Sequence, residues 1–220
     1  MRAGALLVPE KSRPEGDPVP ETDIYSERLL AVFNLIADQP QAHDQGHWGT
    51  IPTSAVRQVR DEIEEVDTTD SYLDRALPNK VAIDCGTAAC FAGWTVLREG
   101  GKPVLSSLEI SANARVDGDV MTFGNVLMPG EDEPRSVAQV ATELLFGDRD
   151  RRWLADDLFN GYNTRSIIRG LVLDLLNGVD DALISERIDA EAYGEQKGPD
   201  GPDDEAVEPI RFDESLGVYV

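Results

Sequence analysis

The chain has 220 residues, is 41% hydrophobic, and carries 42 acidic against 20 basic side chains, a formal net charge of −22. These totals fit one domain with tails or two small domains, and the charge argues against direct partners that are themselves anionic, namely nucleic-acid backbones and membrane surfaces. No apolar run approaches the roughly 18 residues of a membrane helix, and 2 cysteines do not make a disulfide scaffold.

Residues 1–22 carry Pro9, Pro14, Pro18 and Pro20 among Glu, Asp and Gly. Such composition buries too little to offset chain entropy, so a flexible arm is expected. The apolar stretch at 3–8 is too short for a secretory signal core, and a cytoplasmic location is expected. Thr22 or Asp23 is a good cap for a first helix whose stripe is Tyr25, Leu29, Val32, Phe33 and Ile36, ending at Gln39-Pro40. A polar loop follows at 41–50. Thr53 or Ser54 opens a second helix with Val56, Val59, Ile63 and Val66 at helical spacing.

Residues 68–80 read as a loop, and 81–83 as a short strand. From Thr87 to Arg98 small and apolar residues suit a buried helix, stopped by Gly100-Gly101. Ala114 to Phe123, with Asp117-Gly118 at its centre, is a hairpin signal. Pro134 is expected in the first turn of a helix with Val137, Val140, Ala141, Leu144 and Leu145 inside and Gly147 at its stop. Trp153, Leu154, Leu158 and Phe159 mark a short helix. Asn163 or Thr164 caps a longer one, with Ile167, Ile168, Leu171, Leu175 and Leu176 buried and Gly178 at its end. A last helix is expected from Asp180 to Tyr193.

From Asp189 to Val220 there are ten acids and two bases, and 194–209 is rich in Gly, Pro and acid, a solvated linker. Ile210, Phe212, Leu216, Val218 and Tyr219 restore apolar character, as a segment that docks back or one offered to a partner. The expected organisation is a flexible arm (1–22), a mainly α (α+β) domain with a small β-hairpin (23–193) and an acidic tail with an apolar terminal segment (194–220).

The sharpest local feature is Cys85-Gly86-Thr87-x2-Cys90-x-Ala92-Gly93-Trp94. A cysteine opening a helix has its thiolate favoured by the helix dipole. A thiol enzyme also needs a histidine base, and papain-like enzymes place it downstream. Here the only histidines, His43 and His47, are upstream. The same residues, His43, His47, Cys85 and Cys90, formally make a two-His, two-Cys zinc set. A Cys85–Cys90 disulfide on one regular helix would need distortion. Packing accounts for the block equally well. Gly86 permits a tight turn into the helix, Thr87 caps its first turn, Gly93 lets a neighbour approach, and Trp94 fills the space beside it. No phosphate-binding glycine loop, nucleophile elbow or EF-hand spacing is present, and the many acidic pairs read as solvated faces.

With that block, Asp44-Gln45-x2-Trp48, Ala141-x2-Leu144-Leu145-Phe146-Gly147, Leu158-Phe159 and Asn163-Thr164 make the chain resemble a group of small uncharacterised proteins of actinobacteria and their phages. The resemblance spans roughly residues 24–178 and implies a helical fold with no assigned activity; His43 and His47 are not among its pattern residues, and both ends lie beyond it. The expected function is non-catalytic binding of a host protein, in one variant a nucleic-acid-binding protein whose basic groove the carboxylates mimic. Phe212, Leu216 and Tyr219 are candidate partner-binding residues. The alternatives are a thiol- or zinc-dependent enzyme centred on Cys85 and Cys90 with His43 and His47, and a minor virion component.

Overall fold

The computed structural model describes residues 24–52, 75–76, 88–105, 120–147, 152–194 and 206–220. The expected arm, second helix, strand at 81–83 and first half of the 114–123 hairpin lie outside the described residues. Among those described there are six α-helices and eight short strands, a mainly α architecture with small antiparallel elements. None of these helices is long and apolar enough to cross a membrane.

Helix α1 (Ile24–Asp38) buries the stripe expected of it: Leu29, Val32, Phe33 and Ile36 are 4%, 2%, 0% and 0% exposed. Burying a side chain of this size contributes about 1.5–3 kcal/mol. Tyr25 departs from the stripe. It is half out of the core, its ring lying so close over Gly147 that a β-carbon there would meet the hydroxyl at 2.3 Å. After a 3-10 turn at Pro40–Ala42 the chain runs through a loop into strand β1 (Thr50–Pro52), which pairs antiparallel with β4 (Val120–Thr122).

Helix α2 (Phe91–Arg98) is the centre of the molecule, and every residue from Phe91 to Leu97 is buried. It starts four residues later than Thr87, where the sequence reading put it. Ala88 and Ala89 are extended because main-chain bonds to the 42–50 loop hold them: Thr50 N to Ala88 O at 2.7 Å, and Ala89 N to Ala42 O at 3.0 Å. Helix propensity is a weak prior, and tertiary pairing overrides it here.

Strands β2 (Arg75–Ala76), β3 (Lys102–Leu105), β5 (Asn125–Leu127) and β6 (Arg135–Ser136) form one antiparallel sheet in that order. Pro103 sits in an inner strand, which proline's missing N–H normally forbids. Among the described residues β2 pairs with Val104 and Leu105, and Pro103 stands opposite Val126 of β5. Helix α3 (Val137–Phe146) begins after β6, so Pro134 is not in its first turn; Ser136 caps it through Gln139 N at 3.1 Å. Pairing of Arg135 and Ser136 with β5 uses the residues that would otherwise have extended the helix. Gly147, at φ 63°, ends it in the left-handed conformation that favours glycine. Arg28 ties three helices together, pairing with Glu99 at 3.0 Å and donating to Leu144 O at 2.9 Å.

Helix α4 (Arg152–Leu158) is closed by Asn163, whose amide donates to Asp157 O at 2.7 Å. Thr164, of the two expected candidates, caps α5 (Arg165–Leu176) through Ile167 N. Helix α6 (Asp181–Asp189) is capped by Asp180 and ends four residues before Tyr193. Tyr193 instead turns back onto α5, its ring over Gly170 and its hydroxyl donating to Asp174, which Arg187 also holds. Helix α1 packs on α2, α3 and α5, and α2 packs on α3.

The terminal segment docks. Ile210 is 2% exposed and belongs to the core, and residues 211–220 close into a hairpin of β7 (Phe212–Asp213) and β8 (Val218–Tyr219).

Candidate functional site

The residues singled out in the sequence converge where the 42–50 loop lies over the N-terminus of α2. Cys90 is the N-cap of that helix, so the position at the helix N-terminus belongs to it. Its sulfur accepts from Gly93 N at 3.5 Å, and its thiol points to Trp48 O at 3.8 Å. Gly93 is there for contact: a β-carbon would lie 1.8 Å from Trp48 O. Trp94 is buried and donates from its indole to Ala42 O at 2.7 Å. Cys85, Gly86 and Thr87 lie outside the described residues.

Gln45 is the keystone that sequence reasoning missed. It is 2% exposed and uses both ends of its amide. Nε2 donates to Leu158 O at 3.1 Å and Asn160 O at 3.2 Å, while Oε1 accepts from Phe91 N at 3.1 Å. Because Oε1 can only accept, His43 Nε2, 3.0 Å away, is a donor to it. One side chain thus joins the loop, the first turn of α2 and the end of α4. The only signal for it was its place in the Asp44-Gln45-x2-Trp48 pattern.

A cleft of about 440 Å³ opens beside this junction, lined among others by His47, Trp48, Cys90, Phe123, Phe159 and Gly161. Trp48 meets Phe159 edge to face at 6.4 Å. His47 Nδ1 is 2.9 Å from Asp44 Oδ2, a pairing that orients the imidazole. No family model, curated protein or solved structure matches the chain.

Of the proposed zinc set, His47 and Cys90 line one cleft, while the His43 ring is turned to Gln45. Among the described residues no group of three or more His, Cys, Asp or Glu side chains is placed to hold a metal ion. Cys90 is a poor supplier of thiolate. Burial pushes its thiol from the ordinary 9.0 up to about 12, outweighing the N–H groups of Gly93 and Ala92, which pull the other way. The helix N-terminus that was expected to activate a cysteine here loses to desolvation.

A consequence is measurable. In a Cys85→Ser background, Cys90 in the native chain is expected to alkylate at neutral pH about a thousandfold more slowly than in urea, as the shift from 9.0 to about 12 implies. The sign with pH follows. Between about 9 and about 12 the unfolded thiol ionises and the native one does not, so this group's contribution to stability is full below 9 and falls as pH rises through that window. Fast alkylation of the native chain would show that Cys90 is not buried as described.

The candidate partner-binding residues are placed at the other end of the chain. Phe212 and Tyr219 pack edge to face at 5.2 Å, and Leu216 projects from the turn between β7 and β8.

Proposed function

We propose that the chain is a phage-type, non-catalytic protein that acts in the cytoplasm of a host by binding a host protein, and that the C-terminal hairpin presents the binding residue. One observation carries this reading. Leu216 is 63% exposed, more than any other large hydrophobic side chain described, and it stands on a turn that is already fixed. Asp213 accepts from Ser215 N at 2.8 Å, Ser215 Oγ at 2.6 Å and Leu216 N at 3.2 Å, and these donors hold its carboxyl below the usual range. An apolar side chain on a rigid support loses little entropy on binding, which favours association. Val218, also exposed, extends the patch, and Asp213 and Glu214 give it an acidic rim. The complementary surface is an apolar pocket with basic edges.

The test is capture from actinobacterial lysate by the tagged chain, with and without nuclease, at low and high salt. One stoichiometric partner is expected, retained by a Leu183→Asp control on α6 and weakened at least about tenfold by Leu216→Asp. Release by high salt would mark the nucleic-acid-mimic variant. A partner that Leu216→Asp still holds, or none under any condition, would sink the proposal.

The second reading, a thiol-dependent enzyme, has one observation in its favour: Cys90 shares a cleft with a carboxylate-paired His47. The buried thiol works against a role for Cys90, and fast alkylation of the native chain in the measurement above would favour this reading.

A further inference from the structure

We infer that the pocket where α4 ends, α5 starts and α6 ends is a binding site for an alkylguanidinium, the head group of an arginine. The pocket is about 190 Å³. Asp157, Asp189 and Glu191 bring three carboxylates to it, and among the described residues none of the three has an ion-pair partner. Asn163 is the decisive group. It is 2% exposed, so what access it has is to this pocket. Its Nδ2 donates to Asp157 O at 2.7 Å, and its Oδ1 meets no donor among the described residues. A buried amide oxygen without a donor carries a desolvation penalty that a bound N–H removes.

The surroundings select the cation. Among the described residues these carboxylates are not grouped to close on a metal ion. Their charge suits instead a cation with several N–H groups on a wider, planar frame, as in guanidinium. Ile167 and Leu171, 6% and 3% exposed, form with Ile188 an apolar wall for an alkyl stem. Tyr193 has its hydroxyl committed to Asp174 and adds an aromatic surface, of the kind on which guanidinium packs. Two helices end here, α4 at Leu158 and α6 at Asp189, and the C-terminal end of a helix favours positive charge. Burial first, then Asp156 and Asp189, hold the Asp157 carboxyl above its usual range, a like-charge cost that a cation relieves. Glu191 stands at φ 51°, a left-handed conformation in which glycine is at ease and other residues are strained. The sequence thus keeps a carboxylate at the pocket against the preference of the backbone.

Amide-shift titration of the full chain by NMR, with ethylguanidinium as the probe, tests this. Saturable shifts are expected at Asn163, Leu171 and Gly194, with a Kd on the order of 1 mM for so small a ligand. Asp157→Asn and Glu191→Gly are each expected to weaken binding at least about tenfold. Glu191→Gly should also melt no lower than wild type, because it relieves the backbone, so its lost binding does not report unfolding. Two arms identify the source of the guanidinium. Tighter binding of acetyl-Gly-Arg-Gly-amide than of the free ion marks a partner protein's arginine, tighter binding of the free ion marks a small molecule, and both uphold the site. Tetramethylammonium, a cation without N–H donors, is the control for the general attraction of cations to a chain at −22. Equal shifts from it at the same residues, no saturation with ethylguanidinium, or binding that both substitutions leave unchanged would overturn the inference.

Discussion

Gly93→Ala is expected to lower stability by about 3 kcal/mol or more, a fall of roughly 6–12 °C in Tm for a chain of this size. The added β-carbon would sit 1.8 Å from Trp48 O and 2.8 Å from the Ala89 β-carbon. Most glycine substitutions meet a side chain that can rotate away. This one meets the carbonyl of a loop that is itself bonded to α2 through Cys90 N to His47 O at 3.1 Å. The loop would have to lift, and with it Gln45 and the Thr50 pairing. Gly161→Ala is the control, since nothing lies nearer its β-carbon than Gln45 O at 3.5 Å, and it should stay within about 0.5 kcal/mol. Urea unfolding at unchanged m separates the two. Equal midpoints would mean the loop does not lie on the helix as described.

Gln45→Leu is the second large effect, expected at about 2–4 kcal/mol. Leucine fills a similar space, so the loss is polar: Phe91 N, Leu158 O and Asn160 O lose the partner they have in Gln45. Buried groups stripped of a partner carry the full desolvation penalty. Gln45→Glu refines the test. It keeps an acceptor for Phe91 N but sets a carboxylate against two carbonyls, so it should be as harmful as leucine at neutral pH and partly recover in acid. Thermal melts of the two variants at neutral and acid pH read this out, and a glutamate variant as stable as wild type at neutral pH would show that the two carbonyl bonds carry no weight.

Helix periodicity made most of the fold legible. Leu29, Val32, Phe33 and Ile36, then Val137, Val140, Ala141 and Leu145, then Ile167, Ile168 and Leu171 are buried as their spacing requires, while Leu144, Leu175 and Leu176, expected in the same stripes, are only partly buried. Caps were legible too, as at Thr164 and Gly147. Among the short strands only β4, in the second half of the 114–123 hairpin signal, was legible; β3, β5 and β6 were not, because alternation needs more length than they provide. Ala88 and Ala89 misled in the other direction: small residues next to a helix look helical until a distant loop claims their main chain. The site was half legible. The Cys90 to Trp94 block stood out, but its role in receiving a carbonyl from Trp48 depends on a partner 45 residues away. Gln45 looked like one more polar loop residue, because hydrogen bonding over such a separation leaves no periodic trace.

The docking of the terminal segment, in which Asn34 on α1 donates to Ile210 O at 3.0 Å, has a consequence for how the chain is made. The two residues are 176 positions apart, so at a synthesis rate of about 5–20 residues per second the asparagine waits roughly 10–35 seconds for its partner. Through that interval the face of α1 that the segment will cover has no cover, and the helix meets its other partners, α2, α3 and α5, one after another as they emerge. Docking of this segment is therefore a late step of folding, because Asn34 waits for a partner 176 positions downstream.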